Sequence, residues 1–356
     1  MNRIFLLTET KEDVIVTGGH VYNKSFYSFL SIYSNYSLIF RDNSLQKQYF
    51  SWKRLFAPLC ELKFLKLISK GDIVFWGDTT YKYHFLLLLI LKLFYRKVRL
   101  CIIIHHFPFL SWDDTKCFYK TKIYFLKKYY KLINDIIVPS PYTQKKALDL
   151  LPQNNIVYIP LPFEQIYNPS QQYEQGNLLY VGTIEERKGL IYLIEALNLL
   201  NKQNVYFLLD IVGKIQDESY YNFLQEKIKR YNLTNKIFFR GRVSSSELDY
   251  YYSKAESFVF PSLLEGYGMV LVEAMQRGLP IVAFDNTAMP YSIKNGINGY
   301  LAQNKDYVDL SKKIQLILGN VKERERLQQN IEKEIFTLKT QDDFEEAIKY
   351  FIQNNL

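Results

Sequence analysis

The chain has 356 residues, of which 48% are hydrophobic and 23% charged, and a formal net charge of +9 at neutral pH. That length and balance suit two ordinary domains with substantial cores and exclude a disordered or fibrous chain. The charge is unevenly spread: residues 1–165 hold 23 Lys and Arg against 12 Asp and Glu, a net +11, and the rest holds 22 against 24, a net −2. A basic half suits a polyanionic partner, which leaves nucleic acid, an anionic membrane surface or a phosphorylated substrate open. Cys60, Cys101 and Cys117 form no C-x-x-C pair and cannot all bridge, which favours a reducing compartment. The amino-terminal stretch has too short an apolar run, and acids too early, for a signal peptide. The longest apolar run, Phe85 to Leu91, is broken by Lys92 and falls short of the roughly 20 residues that cross a bilayer. A cytoplasmic protein is expected, able to sit peripherally on the inner face of the plasma membrane.

The first strand is expected over Arg3 to Leu7. Val14 to Thr17 then leads into Gly18-Gly19-His20 and a helix carrying Phe26, Phe29, Leu30 and Tyr33 on one face. A Gly-Gly pair just before a helix lets the backbone approach a phosphate, although a plain turn has the same composition. His20 reads as a loop residue. Short β-branched runs follow at Ser37 to Phe40, Asp72 to Trp76, Leu100 to Ile104 and Asp135 to Val138, with helical stretches between them, as in a doubly wound parallel sheet. The third run ends in His105-His106, at the strand end where such sheets place functional groups.

Residues 113–135 interleave six lysines, from Lys116 to Lys131, with Phe118, Tyr119, Tyr124, Phe125, Tyr129 and Tyr130. Lysine heads among aromatic rings suit an anionic bilayer surface, and they equally suit a sheet-packing helix with a solvated lysine face. Nucleic acid fits the charge, but no nucleic-acid-binding motif accompanies it, and none is expected as a partner. A helix over Pro141 to Leu151 and a strand over Asn155 to Ile159 complete the half. The polar stretch Gln165 to Gly176 is the best linker in the chain.

The strand pattern restarts at Asn177 to Gly182. Thr183 to Gly189, carrying Arg187 and Lys188, opens a helix with Leu190, Leu193, Ile194, Leu197 and Leu200 on one face. A strand, a turn with two cations and a helix start make a diphosphate pocket, with Arg187 as a fork and Lys188 as a point charge. Glu185 and Glu186 offer the alternative of a self-neutralised charge run. Phe207 to Val212 is a strand ending at Gly213-Lys214, Tyr220 to Tyr231 a helix, and Lys236 to Phe239 a strand ending in Arg240-Gly241-Arg242-Val243. Ser244 and Glu247 have capping-box spacing. Phe258 to Phe260 is a strand that Pro261 and Ser262 end; Gly266 and Gly268 form a tight loop; Met269 to Arg277 is a helix stopped by Gly278; Ile281 to Phe284 is the next strand. Glu265 and Glu273 flank that loop, eight residues apart. In a parallel sheet this turn sits where ligands bind, with the helix N–H groups pointing at them.

The Glu265-Gly266-Tyr267-Gly268 to Glu273 stretch resembles the E-x7-E signature of retaining glycosyltransferases of family four (glycosyl transferases group one), which have the two-domain GT-B fold. The likeness extends over most of residues 177–301 and more loosely over 1–165. It implies that Glu265 contacts the donor sugar, that Glu273 contacts the ribose, and that the amides of Gly266, Tyr267, Gly268, Met269 and Val270 meet the diphosphate. It places Gly18 and Gly19 over the diphosphate and Gly213 and Val243 beside the nucleotide. His105 becomes the donor-sugar histidine, with His106 the alternative, and Arg242 either a donor contact or a surface arginine. Thr183 and Pro290-Tyr291 depart from the family pattern.

The resemblance also implies two Rossmann-like, doubly wound parallel-sheet domains facing a cleft. They span residues 1–164 for the acceptor and 177–335 for the nucleotide sugar, joined by the linker at 165–176, with 336–356 crossing back to the first. The implied reaction is metal-independent, retaining hexose transfer from a UDP- or GDP-linked sugar to a glycan or lipid-linked acceptor of a surface polysaccharide such as capsule, lipopolysaccharide or exopolysaccharide. The nucleotide sugar is a substrate, and no cofactor is expected. No two aspartates stand two residues apart, so the D-x-D metal motif of the other glycosyltransferase fold is missing. Two alternatives stand beside it: a nucleotide-sugar epimerase of the same fold, and a non-catalytic binding protein acting through its basic half.

Overall fold

The computed structural model describes residues 3–8, 18–33, 37–42, 65–77, 81–95, 97–107, 119–169 and 173–355. Two compact units divide the chain, one made of Met1–Pro162 with Lys339–Leu356 and the other of Phe163–Leu338. No helix among the described residues is long and apolar enough to cross a membrane.

In the first unit the described strands are β1 (Arg3–Thr8), β2 (Ser37–Asp42), β3 (Ile73–Gly77), β4 (Arg99–Ile103), β5 (Asp135–Val138) and β6 (Asn155–Tyr158). They form one sheet in the order β2-β1-β3-β4-β5-β6, every pair parallel. Helices α1 (Gly18–Tyr33), α2 (Tyr81–Phe94), α3 (Tyr119–Tyr130) and α4 (Pro141–Leu150) connect them. The central strands are apolar on both faces because both are covered: Leu100, Ile102, Ile103, Ile136 and Ile137 are fully buried. β3 starts one residue later than its hydrophobic run suggests, since buried Asp72 serves as an anchor, accepting from the amides of Arg3 at 3.0 Å and Ser69 at 2.7 Å. Gly18 and Gly19 are the first residues of α1, rather than a loop before it. The reason lies across the sheet end: a Cβ on Gly19 would stand 3.1 Å from the His105 ring, so the missing side chain admits the histidine. Val14 to Thr17 lie outside the described residues, as do 113–118 of the lysine-aromatic stretch.

The second unit carries β7 (Asn177–Val181), β8 (Leu208–Val212), β9 (Ile237–Gly241), β10 (Ser257–Phe260), β11 (Ile281–Asp285) and β12 (Gly299–Gln303). Their order is β12-β11-β10-β7-β8-β9. The winding reverses between β7 and β10, so the crevice for a ligand falls beyond the carboxyl ends of those two strands. Helices α5 (Leu190–Lys202), α6 (Glu218–Arg230), α7 (Ser245–Lys254), α8 (Met269–Gln276), the short α9 (Met289–Ser292), α10 (Tyr307–Ile317) and α11 (Val321–Ile335) complete it. α7 begins with the capping box read from Ser244 and Glu247, with both reciprocal bonds present. The stretch expected as a linker is fastened along this unit: the Gln165 side chain donates to the Leu338 carbonyl at 2.8 Å, the Asn168 amide to Gln276 at 2.7 Å and the Tyr167 hydroxyl to Gln328 at 3.1 Å. An irregular segment lying on protein must satisfy its polar backbone there. The last helix, α12 (Gln341–Asn355), belongs to the first unit, where Phe344 meets Tyr22 and Phe351 meets Phe75.

Two glycines let the loops at the crevice close on one another. A Cβ on Gly189 would lie 2.0 Å from the Pro261 carbonyl oxygen, and one on Gly213 would lie 1.8 Å from the Gly182 carbonyl oxygen. Both approaches are backbone on backbone, so nothing flexible can give way. Gly213→Ala is therefore expected to destabilise the second unit by about 3 kcal/mol or more, in the range of overpacking plus backbone strain. Gly241→Ala, where φ is +70° but a Cβ meets nothing within 4 Å, should cost only about 1 kcal/mol in urea unfolding.

Candidate active site at the end of β7 and β10

The loop after β7 turns through a single 3-10 turn, Glu186–Lys188, and then Gly189 starts α5 in a left-handed conformation. The loop after β10 runs from Pro261 to Gly268, itself left-handed at φ +85°, which starts α8. The Leu263 amide donates to the Arg187 carbonyl at 2.9 Å, tying the loops together beside the Gly189–Pro261 approach. This junction brings Arg187, Lys188 and Glu265 into one cluster. Lys188 Nζ donates to Glu265 Oε1 at 2.5 Å, Ser262 Oγ donates to the same oxygen at 2.8 Å, and an Arg187 nitrogen lies 3.5 Å from it. Arg187 also donates to the Leu264 carbonyl at 2.7 Å and to Glu185 at 2.8 Å, while Thr183 holds Glu185 from the other side.

Burial by itself would push the Glu265 carboxyl up. The charges of Lys188 and Arg187, with the hydrogen bonds from Lys188 and Ser262, outweigh it and hold the group below the usual carboxylate range. Glu265 is thus an anion at neutral pH, and Lys188 is oriented by it. Of the two acids that precede the cations, Glu185 is the one that pairs with Arg187, which also reaches Glu265.

Glu273 has different surroundings. On α8 it accepts from the Tyr252 hydroxyl at 3.2 Å, and Arg277 donates to its carbonyl at 3.1 Å. Burial dominates here and raises its carboxyl above the ordinary value, against the pull of Tyr252 and Arg277. An aromatic row links the two carboxylates. Lys188 Nζ sits 5.1 Å from the Phe260 ring; Phe260 stacks on Phe258 at 5.9 Å, and Phe258 on Tyr252 at 6.1 Å. Phe258 and Phe260 are two apart on β10 and so share one face of the sheet.

The remaining candidates have these places. Tyr267 turns its ring onto Phe163, with centroids 5.2 Å apart. Gly266 lies in the bend and Met269 and Val270 form the first turn of α8. The Gly213 amide donates to the Gly241 carbonyl at 2.8 Å, which commits that N–H to the sheet end; close approach, rather than donation, is what this glycine supplies. Val243 is half-buried against the second core, and Arg242 is exposed beside it. His105 lies in the first unit. Its Nε2 is 2.9 Å from Asn23 Oδ1 on α1, its carbonyl accepts from Thr143 at 3.0 Å, and Tyr22 meets its ring edge-on. His106 is half-buried beside it. Among the described residues no group of three His, Cys, Asp or Glu side chains is arranged to hold a metal ion.

Sequence reasoning missed Ser262, Tyr252 and Asn23; Asp285 to Pro290 reads as a polar loop at a strand end close to the diphosphate, but the bonds of Asn286 and Thr287 to the neighbouring loop do not show in it. Ser262 reads as a strand stop and Tyr252 as one tyrosine among several. Their roles depend on which strand ends become neighbours, and no local spacing encodes that.

Two parallel six-stranded sheets in one chain, the second bearing a paired-carboxylate turn where its winding reverses, are the GT-B fold. Residues 165–334, just under half of the chain, match the family model described as glycosyl transferases group 1. O-antigen chain mannosyltransferase B of Escherichia coli is 32% identical over 153 residues, 42% of this chain and 39% of that protein. Sucrose-phosphate synthase of Thermosynechococcus elongatus superposes with a TM-score of 0.79 at 18% identity, over 99% of this chain and 98% of that one. HepE of Anabaena, solved in complex with UDP and glucose, gives 0.74 at 16% identity, over 99% and 100%. At such identities the likeness of structure speaks to the fold alone. The chain spans about half the length of the curated relatives it matches.

Removing Lys188 would leave the Glu265 charge buried with weaker compensation. Lys188→Met should cost about 3 kcal/mol in urea unfolding at neutral pH. The sign follows from the depressed carboxyl: its stabilisation is present above the ordinary carboxylate pKa and is lost as pH falls through the lower folded value. The variant's deficit should therefore shrink below about pH 4, where Glu265 can protonate. A deficit that stays unchanged as the pH falls below that value would contradict the pairing.

Proposed function

We propose that the protein is a glycosyltransferase moving a hexose from a UDP- or GDP-linked sugar to a hydroxyl of a glycan or lipid-linked acceptor in surface-polysaccharide synthesis. The observation that carries this reading is Lys188, held by Glu265 and flanked by Arg187 at the reversal point of the second sheet. Departure of a nucleotide diphosphate leaves negative charge on its terminal phosphate. Two cations and the first-turn N–H groups of Met269 and Val270 are the kind of fixed positive groups that stabilise it. We infer a metal-independent transfer on that basis. Retention at the anomeric carbon rests on the resemblance of the Glu265-to-Glu273 turn. The diphosphate C–O bond breaks with its electron pair leaving on the phosphate, the acceptor oxygen bonds the same face of that carbon, and its proton passes to the departing phosphate oxygen. Neither glutamate is then a nucleophile: Glu265 grips sugar hydroxyls, Glu273 the ribose, and His105 is the first unit's sugar-contacting residue. The relative named as an O-antigen mannosyltransferase and the neighbour solved with UDP and glucose support the substrate class.

The test is a thermal-shift screen of nucleotide sugars followed by transfer assays, with the anomeric configuration read by NMR. Glu265→Gln and Lys188→Ala should each lower transfer roughly a hundredfold or more while the protein stays folded. Full activity in both would end the reading. Rapid release of free sugar without acceptor would favour the epimerase alternative, and no affinity for any donor would favour a binding protein.

We propose further that the first unit meets an anionic membrane surface through α3. Leu126, Tyr129, Tyr130 and Ile133 bury one side, while the outer side shows Lys120, Lys128 and Lys131 with Tyr124 and Phe125 58% and 59% exposed. Beside them Lys127, Lys128 and Lys131 line a groove of about 330 Å³ against residues 150–154. Lysines take phosphate headgroups while the rings enter the interface. Vesicles containing phosphatidylglycerol should retain the protein, and pure phosphatidylcholine should not. Reversing Lys127, Lys128 and Lys131 to Glu should abolish retention; unchanged retention would refute the assignment.

A further inference from the structure

Thr287 follows β11 with φ at +43°, a left-handed conformation that a β-branched residue rarely adopts. A residue held there must be fixed by its surroundings, and such strain gathers at functional sites. What holds Thr287 is its hydroxyl. Oγ1 accepts from the Glu265 amide at 3.2 Å and donates to Asn286 Oδ1 at 2.9 Å. The Asn286 amide group in turn donates to the Ser262 carbonyl at 3.0 Å and to Asn304 Oδ1 at 2.8 Å. The loop after β11 therefore grips the loop after β10 at two points, one on the backbone of Glu265 and one on that of Ser262. These are the residues whose side chains meet at Glu265 Oε1.

We propose that Thr287 is a positioning residue for Glu265: its hydroxyl, delivered by a strained backbone, fixes the main chain from which the carboxylate reaches Lys188. The proposal rests on the transferase reading for its catalytic meaning, but its physical content does not. Lys188 and Ser262 orient the end of the Glu265 side chain, and Thr287 orients its root. With both ends held, the carboxylate loses the freedom to follow a misplaced sugar. Serine can supply the same hydroxyl with less crowding at positive φ. Valine keeps the branching and loses the bonds.

The experiment compares Thr287→Val, Thr287→Ser and Asn286→Ala in the full chain. Hydrogen exchange at the Glu265 amide should quicken about tenfold in Thr287→Val, the equivalent of one hydrogen bond, and stay near the parent rate in Thr287→Ser. In transfer assays the loss in Thr287→Val should fall on kcat/KM for the donor, about tenfold, with Thr287→Ser restoring it. Asn286→Ala should share the exchange phenotype, giving a second reading if valine impairs folding. Unchanged exchange in both Thr287→Val and Asn286→Ala overturns the proposal, and so does a serine variant as impaired as valine. Faster exchange in a chain that transfers no sugar would uphold the clamp and instead sink the transferase reading.

Discussion

A negative charge held away from water is the constraint on which the second unit's chemistry depends. Glu265 is costly to bury, and only Lys188, Arg187 and Ser262 make it tolerable. The same contacts fix two cations at a sheet end where the backbone offers N–H groups to an anion. Ion pairing and ligand readiness are thus one arrangement. A neutral residue at position 265 would lower the desolvation cost and would also release Lys188 from its orientation.

That arrangement depends on backbone proximity. Gly189 against Pro261 and Gly213 against Gly182 bring strand ends closer than any side chain allows. Thr287 does by strain what the glycines do by absence, approaching the neighbouring loop through an oxygen in an unfavourable conformation. Beneath the loops, the stacked rings of Phe260, Phe258 and Tyr252 make a floor that ends in the Lys188 ammonium over Phe260 and in the Tyr252 hydroxyl bonded to Glu273. Such a floor resists compression, so the spacing of the two carboxylates follows from the geometry of a strand and one helix.

The strands were legible because a parallel strand covered on both faces must be apolar throughout, as in the buried runs of β5, β10 and β11. The caps were legible because they are local, as with Ser244 and Glu247. Arg187, Lys188 and Glu265 could be named from composition at predicted strand ends, yet their mutual pairing could not, since it depends on sheet order. The segment before β7 reads as the best linker in the chain by its polarity; its hydrogen-bond partners, more than a hundred residues away in α8, α11 and beyond, are not legible there. Gly18-Gly19 reads as a phosphate loop or a plain turn before a helix, whereas both open α1 and Gly19 leaves room for the His105 ring. The loop holding Thr287 reads as a polar strand end near the diphosphate, but nothing in Asn-Thr-Ala announces the positive φ that aims its hydroxyl.

Phe344, Ile348 and Phe351 are wholly buried in the first unit but follow the whole of the second in chain order. Tyr22, Phe29 and Phe75 therefore meet Phe344 and Phe351 only after the whole of the second unit has been synthesised. During translation the second unit can close on residues already made, whereas the first must keep an apolar face unfinished. Apolar surface exposed over such an interval is the kind on which unfinished chains aggregate. The half of the protein that begins first is the half that is completed last.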